Sequence, residues 1–391
     1  IGPSRFVTER THVAFEGATM WGDRSTIKFH ATSADWQESD QVLVGLLQDF
    51  GSPATPIVLG GRGEFDGVMT GPFRSPRIEG TFTGDDIRAR DTMWGAAAGH
   101  IAYENRYVTV AGGVVRQGGS EILVDGLFSV GYPRDDGGEQ LNARFKVTRR
   151  DLDSLRHAFG MDAYPVSGLM SGEFHLAGDY ERPIGFGAMT VEQMLAYGEP
   201  FEKATASLRF EEAGVRLDGA EMAKGGGSIT GAAFVGWDGN YSVNADGRQI
   251  SIDQVTRLTY PRVPLAGTVE FSANGAGTFD EPRYDIKFRA NDLFVAKQSV
   301  GQVTGALAVR GTELSGEVDA ASPRLAVTST GRLALTARGD GEITFRFHDT
   351  TIDPYVRLFA PNLSPLMTTV VSGSVRVTGG LADLDRMFAE G

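Results

Sequence analysis

The sequence predicts an all-β protein: a long, repetitive antiparallel sheet with short helices set between its modules. Three observations predict it. Apolar and polar side chains alternate strictly from one end of the chain to the other, glycine-rich turn clusters separate the alternating runs, and a longer period of about 100 residues lies over both.

Alternation with a period of two is that of a strand with one shielded face. It is clear in Glu173-Phe174-His175-Leu176, in Tyr284-Asp285-Ile286-Lys287-Phe288-Arg289 and in Glu342-Ile343-Thr344-Phe345-Arg346-Phe347-His348. A helix of 3.6 residues per turn would scatter these apolar residues around its circumference. The same pattern returns in Leu141 to Val147, Ala206 to Phe210, Val269 to Phe271 and Val375 to Val377. Between such runs stand clusters such as Arg134-Asp135-Asp136-Gly137-Gly138 and Gly225-Gly226-Gly227-Ser228, whose residues favour tight turns.

Two markers carry the longer period. Glycine-led strands begin at Gly67, Gly172, Gly267 and Gly373, and before each lies a short amphipathic segment opening on an aspartate suited to cap a helix: Asp40, Asp153, Asp253 and Asp353. Pro354 at the first helical position strengthens the last of these. The markers divide the chain into a partial β module ending in a short helical linker (1–62) and three β modules with helical linkers (63–166, 167–265 and 266–371). The start of a further module follows (372–391). The chain opens Ile1-Gly2-Pro3 and ends at Gly391 without targeting signals, so it reads as an internal piece of a longer protein.

Composition excludes several function classes. With no cysteine in 391 residues there is neither a disulfide framework nor a thiolate metal site. A formal net charge of −13 and the lack of any basic run argue against a nucleic-acid partner. Apolar runs such as Val42 to Leu47 fall far short of the ~20 residues needed to span a bilayer.

No motif points to catalysis. The six histidines (His12, His30, His100, His157, His175 and His348) are scattered singly, without the i, i+4 pairing of a helical metal site. Gly61 to Gly67 lacks the G-x-G-x-x-G spacing, and Gly226 to Gly231 does not match G-x-S-x-G. The acidic pairs Asp85-Asp86, Asp135-Asp136 and Glu211-Glu212 sit in turn-like contexts as solvated charges. The expectation is a protein with no catalytic residue, no metal and no cofactor, hence not an enzyme.

One family fits this pattern. The run Ile352-Asp353-Pro354-Tyr355-Val356-Arg357-Leu358-Phe359, then Pro365 and Gly373-Ser374-Val375-Arg376-Val377-Thr378-Gly379, resembles the AsmA-like and TamB family. Gly63 through Gly84, with Pro76-Arg77-Ile78-Glu79-Gly80-Thr81-Phe82 inside it, is similar to the TamB-type segments, and the resemblance covers nearly the whole chain. It implies a sheet curled into an open trough (a β-taco) that crosses the periplasm of a diderm bacterium. The anchor would lie in the inner membrane, through a segment outside this chain. It further implies passage of phospholipids toward the outer membrane. As a subunit of a translocation and assembly module, such a protein would also have an outer-membrane barrel partner and support the assembly and secretion of autotransporters.

In such a trough the inward side chains form an apolar floor for phospholipid acyl chains. Alternation assigns to it Phe174, Leu176, Leu208, Phe210, Val269, Phe271, Ile286, Phe288, Ile343, Phe345, Phe347, Val375 and Val377. Glu173, Arg209, Glu270, Lys287, Arg346 and Arg376 then face water. The short helices cap an edge of the sheet. Two alternatives compete with this reading. One is a structural or adhesive β-repeat stalk, in which the same residues fill a closed core. The other is a carbohydrate-binding or carbohydrate-active β domain whose carboxylates converge only in the fold.

Overall fold

A computed structural model describes the chain except residues 21–22, 50, 52–55, 57, 90, 132–135, 163, 259–262, 297, 337–338, 354–368, 381–386 and 391. It divides into two compact units, one of Ile1–Tyr197 with Ser207–Glu212 and one of Gly198–Ala206 with Ala213–Gly391. The fold is the all-β antiparallel architecture predicted above, and the sheet does not close into a barrel.

The first unit runs β1 (Ser4–Val7), β2 (Thr11–Met20), β3 (Arg24–Ser33), α1 (Trp36–Asp49), β4 (Gly60–Gly71), β5 (Arg77–Ala89), β6 (Thr92–Glu104), β7 (Tyr107–Gln117), β8 (Ser120–Ser129), β9 (Leu141–Asp151), α2 (Leu152–Ala158), β10 (Val166–Gly178) and β11 (Pro183–Ala196). Strand β12 (Glu199–Glu211) is divided between the two units. The second unit continues with β13 (Gly214–Lys224), β14 (Gly227–Gly236), β15 (Asn240–Ser251), two 3-10 turns (Ile252–Gln254 and Thr256–Leu258), β16 (Leu265–Thr278), β17 (Pro282–Val295), β18 (Gln298–Arg310), β19 (Glu313–Ser322), β20 (Leu325–Ala334), β21 (Asp340–Thr351), β22 (Val370–Gly380) and β23 (Met387–Glu390). From β1 to β11, and again from β13 to β23, each strand pairs antiparallel with the next in sequence. Hairpin connection of this kind needs only short turns, which the glycine clusters supply.

The long period is written in the backbone as recurring β-bulges. Three six-strand modules, β4–β9, β10–β15 and β16–β21, are irregular at matching places. The first strand of each holds a glycine at positive φ: Gly61 (109°), Gly168 (137°) and Gly267 (133°). The second holds a left-handed non-glycine residue: Asp86 (54°), Gln193 (51°) and Asp292 (49°). The sixth holds another: Arg149 (49°), Gln249 (51°) and Asp349 (42°). A bulge inserts one residue, bends the strand and re-aims the next side chain. After the third bulge the re-aimed residues are Arg150, Ile250 and Thr350, exposed by only 1%, 2% and 0%.

This corrects the alignment of the repeats. The counterparts of Gly267 are Gly61 and Gly168, not Gly67 and Gly172, and the strands begin earlier, at Gly60, Val166, Leu265 and Val370. The helical segments do follow β3, β9 and β15. Their caps are also displaced. Asp35 accepts from the Gln37 amide (3.1 Å) at the start of α1, leaving Asp40 inside the helix, and Asp151 accepts from the Asp153 amide (3.0 Å) at the start of α2. Asp253 lies in a 3-10 turn whose cap is Ser251. The helix expected beyond Asp353 lies outside the described residues.

Many buried hydrophobic residues lie toward the linker ends of the strands, while Ile78, Leu141 and Tyr241 are buried at the tight-turn ends. In the first unit α1 buries Val44 and Leu47, and Trp36 meets the Phe82 ring at 5.4 Å. The Ser39 hydroxyl joins Thr11 (2.7 Å) and Ser33 (2.6 Å) in a buried chain. In the second unit Ile252, Ala290, Val300, Val303 and Leu325 form one cluster, against which Val269, Phe288 and Leu293 pack.

A buried ion pair ties the second 3-10 turn of the second unit to its strands. Lys224 Nζ lies 2.6 Å from Glu199, donates to the Pro200 carbonyl (2.7 Å) and sits over the Phe201 ring at 5.1 Å. Glu199 also accepts from the Thr256 amide (2.9 Å). Burial pulls the Glu199 carboxyl upward, but the hydrogen bonds from Lys224 and Thr256 and the lysine charge outweigh it, holding the group below its ordinary value of 4.5. A carboxylate with a depressed folded-state pKa contributes stability that is complete above its ordinary value and lost as pH falls through the folded one. Acid titration of the second unit should therefore show a loss of stability below pH 4.5 that Glu199→Gln removes, while the variant loses about 3 kcal/mol at neutral pH by stranding Lys224. Denaturant melts across pH 3–7 check this; an unchanged acid limb in the variant would contradict it.

Candidate functional site

The feature that sets this molecule apart is one continuous apolar face in each unit, and register defines it. Directly opposed residues of neighbouring strands share a face. In the second unit Gly247, Phe271, Phe288, Gly305, Val318, Ser329, Phe345 and Val375 are successive partners from β15 to β22. Beside that row run Ala273, Ile286, Leu307, Gly316, Gly331, Ile343 and Val377, and on its other side Val269, Ala290, Val303, Ala320, Val327 and Phe347. Nine of the residues assigned from alternation thus occupy three adjoining rows. In the first unit Val124, Phe145, Phe174 and Gly187 form one row, and Gly126, Ala143, Leu176 and Gly185 the next. Leu208 and Phe210 share a face of β12 with Ala204 and Ala206.

The opposite face is charged. Glu173 stands opposite Lys146 (2.7 Å), Glu270 opposite Arg289, Lys287 opposite Ser272, and Arg346 opposite Thr328. Arg376 stands opposite Thr344 and reaches Glu342 at 2.8 Å. A cleft of about 550 Å³ on this polar side of the second unit is lined by charges of both signs, among them Asp246, Arg248, Glu270, Lys287, Arg289 and Glu317. Among the described residues no group of three or more His, Cys, Asp or Glu side chains is placed to hold a metal. His30 and His157 each meet one exposed aspartate, Asp66 at 2.6 Å and Asp162 at 3.1 Å.

Burial on the apolar face is intermediate. Of the thirteen residues assigned to it from sequence, Leu208 alone is buried (7%) and the other twelve are half-buried. A closed sandwich would bury this face against a second sheet. Here the described strands of each unit belong to one sheet.

Glycines on the face determine how its aromatic rings lie. A Cβ on Gly247 would fall 2.3 Å from the Phe271 ring, one on Gly187 2.4 Å from Phe174, and one on Gly305 2.6 Å from Phe288. In each case the partner's ring lies across the space a side chain would occupy, the arrangement by which an aromatic shields a strand glycine. Rings laid along the sheet cover apolar area without projecting far from it. The floor is therefore shallow and smooth although it is rich in phenylalanine.

The two strand ends differ in the second unit. At the linker end lie the bulges and the cluster around Ile252 and Val303. At the tight-turn end the apolar face finishes in an aromatic group that alternation did not single out. Tyr241 lies between Phe279 (ring centroids 5.1 Å) and Tyr284 (5.9 Å), with Trp237 on the neighbouring turn. Trp237, Phe279 and Leu335 are 36%, 44% and 49% exposed. Arg150 is the other residue sequence reading missed, because nothing in Thr148-Arg149-Arg150-Asp151 distinguishes an inward arginine from an outward one.

No protein-family model matches the chain, and no curated protein or solved structure does so either. No described helix is long and apolar enough to cross a membrane.

Proposed function

We propose that the apolar face is a groove for the acyl chains of phospholipids, and that the chain works as a lipid-conducting segment between membranes. One observation carries the reading: rows of apolar side chains joined by register, half-buried and kept low by rings folded over glycines. Each CH₂ transferred from water to such a surface gains about 0.8 kcal/mol, so an acyl chain laid along several strands binds without any polar anchor. The floor repeats the same chemistry from strand to strand, so it presents no deep well to halt a chain in transit. A filled stalk core accounts less well for the half-burial. The open polar cleft is lined by charges of both signs, among them Asp246, Arg248, Glu270, Lys287, Arg289, Glu317 and Asp319, which favours the apolar face as the site. The sequence resemblance supplies the setting: periplasm, an inner-membrane anchor, delivery to the outer membrane, and support of outer-membrane protein assembly through a barrel partner.

Photo-crosslinking tests this reading. Crosslinkers placed at Phe174, Phe271 and Phe345 are expected to form phospholipid adducts, and those at Glu173, Glu270 and Arg346 are not. Adducts at neither set, in a chain that remains folded, would sink the groove and return the closed-core stalk.

A further inference from the structure

The aromatic group at the tight-turn end of the second unit has chemistry that the rest of the floor lacks. Trp237, Tyr241, Phe279 and Tyr284 continue the apolar face to its rim by strand alternation, and the turns that carry Trp237 and Phe279 also carry Asp238, Asp280 and Glu281, all exposed. Asp238 accepts from the backbone (3.0 Å) and side-chain (2.7 Å) amides of Asn240, which hold its carboxyl below the ordinary range and keep it charged. The nearest cations by register, Arg283 and Arg310, lie on the opposite face, and Arg310 is bound to Asp285 at 2.6 Å.

A second observation is independent of charge. Tyr241 is 8% exposed, and its hydroxyl is buried with no hydrogen-bond partner among the described residues. Leaving a buried hydroxyl unmatched costs roughly 1–3 kcal/mol, and native structures rarely do so without a ligand or water to complete it.

We infer that this rim is a headgroup station: the aromatic rings and the flanking carboxylates receive the ammonium of a zwitterionic phospholipid while its acyl chains lie on the floor. For the Tyr241 hydroxyl to donate to an ester or phosphate oxygen of the same molecule, the rings that cover it must shift on binding. Anionic lipids are disfavoured by the carboxylates. The inference rests on the groove proposed above and adds the class of lipid it selects. Attraction of an ammonium to aromatic faces at an exposed site corresponds to about a two- to fivefold preference.

The experiment equilibrates the purified chain at low salt with vesicles of phosphatidylcholine and phosphatidylglycerol in equal amounts, with identical acyl chains, and quantifies the bound lipid by mass spectrometry. Phosphatidylcholine should be enriched about threefold. Trp237→Ala with Phe279→Ala should abolish the enrichment, and Asp280→Lys with Glu281→Lys should turn it toward phosphatidylglycerol. Bound lipid without headgroup enrichment, or enrichment that survives both variants, overturns the station and leaves the groove standing. No bound lipid at any composition overturns both.

Discussion

Replacing Arg150 by alanine is expected to cost the first unit about 4 kcal/mol, the largest loss foreseen for any single side chain described. Arg150 is 1% exposed, and among the described residues no carboxylate makes an ion pair with it. Its guanidinium donates to the carbonyls of Met93 (3.0 Å) and Trp94 (3.3 Å), lies 3.5 Å from the Ser120 hydroxyl, and covers the Trp94 ring at 5.3 Å. Burial lowers the guanidinium pKa, opposed by the neighbouring charge of Asp151, yet an arginine remains protonated at any pH of interest. The side chain thus satisfies two carbonyls at the irregular start of β6 and fastens that strand to the end of β9, against which α2 packs. Truncation opens a cavity and strands those carbonyls together. Arg150→Met, which retains most of the volume, should lose about half as much. Hydrogen exchange of β6, β9 and α2 reads the effect locally. Protection unchanged in R150A would show that the guanidinium is not what joins these elements.

The second large effect is expected at Gly305. A valine there would place its Cβ 2.6 Å from the Phe288 ring and 2.9 Å from the Glu317 carbonyl oxygen. The carbonyl cannot move without breaking the β18–β19 ladder, so the ring must leave its place along the sheet. Overpacking of this kind costs about 2–3 kcal/mol, and the displaced ring would stand up from the floor, which on the proposed groove reading reduces lipid capacity. Adding Phe288→Ala to G305V should recover more than half of the lost stability, a coupling that a double-mutant cycle measures. Strictly additive losses would mean that the ring and the glycine do not share this space.

Much of this architecture is legible in the chain. Period-two alternation places Phe271, Phe288 and Phe345 on one face because side-chain direction in a strand depends only on parity, and parity survives until a bulge intervenes. Bulges are where legibility fails. Arg149, Gln249 and Asp349 adopt left-handed conformations that no residue type announces, so the inward turn of Arg150, Ile250 and Thr350 could not be read. The true repeat glycines were hidden among so many others that Gly67 and Gly172 stood in for Gly61 and Gly168. The aromatic rim is not legible in the sequence for a related reason. Trp237 and Phe279 sit in turns, where parity continues but the pattern of the strand has already ended.

The recurring bulges also make the six-strand module a unit of length. Strands pair at a spacing of about 4.8 Å, so six of them advance a sheet by roughly 29 Å, with the same hardware at each junction. A protein assembled from such units acquires reach in fixed steps. Length then becomes a question of how many modules a gene carries, and each added module brings the same set of bulges with it.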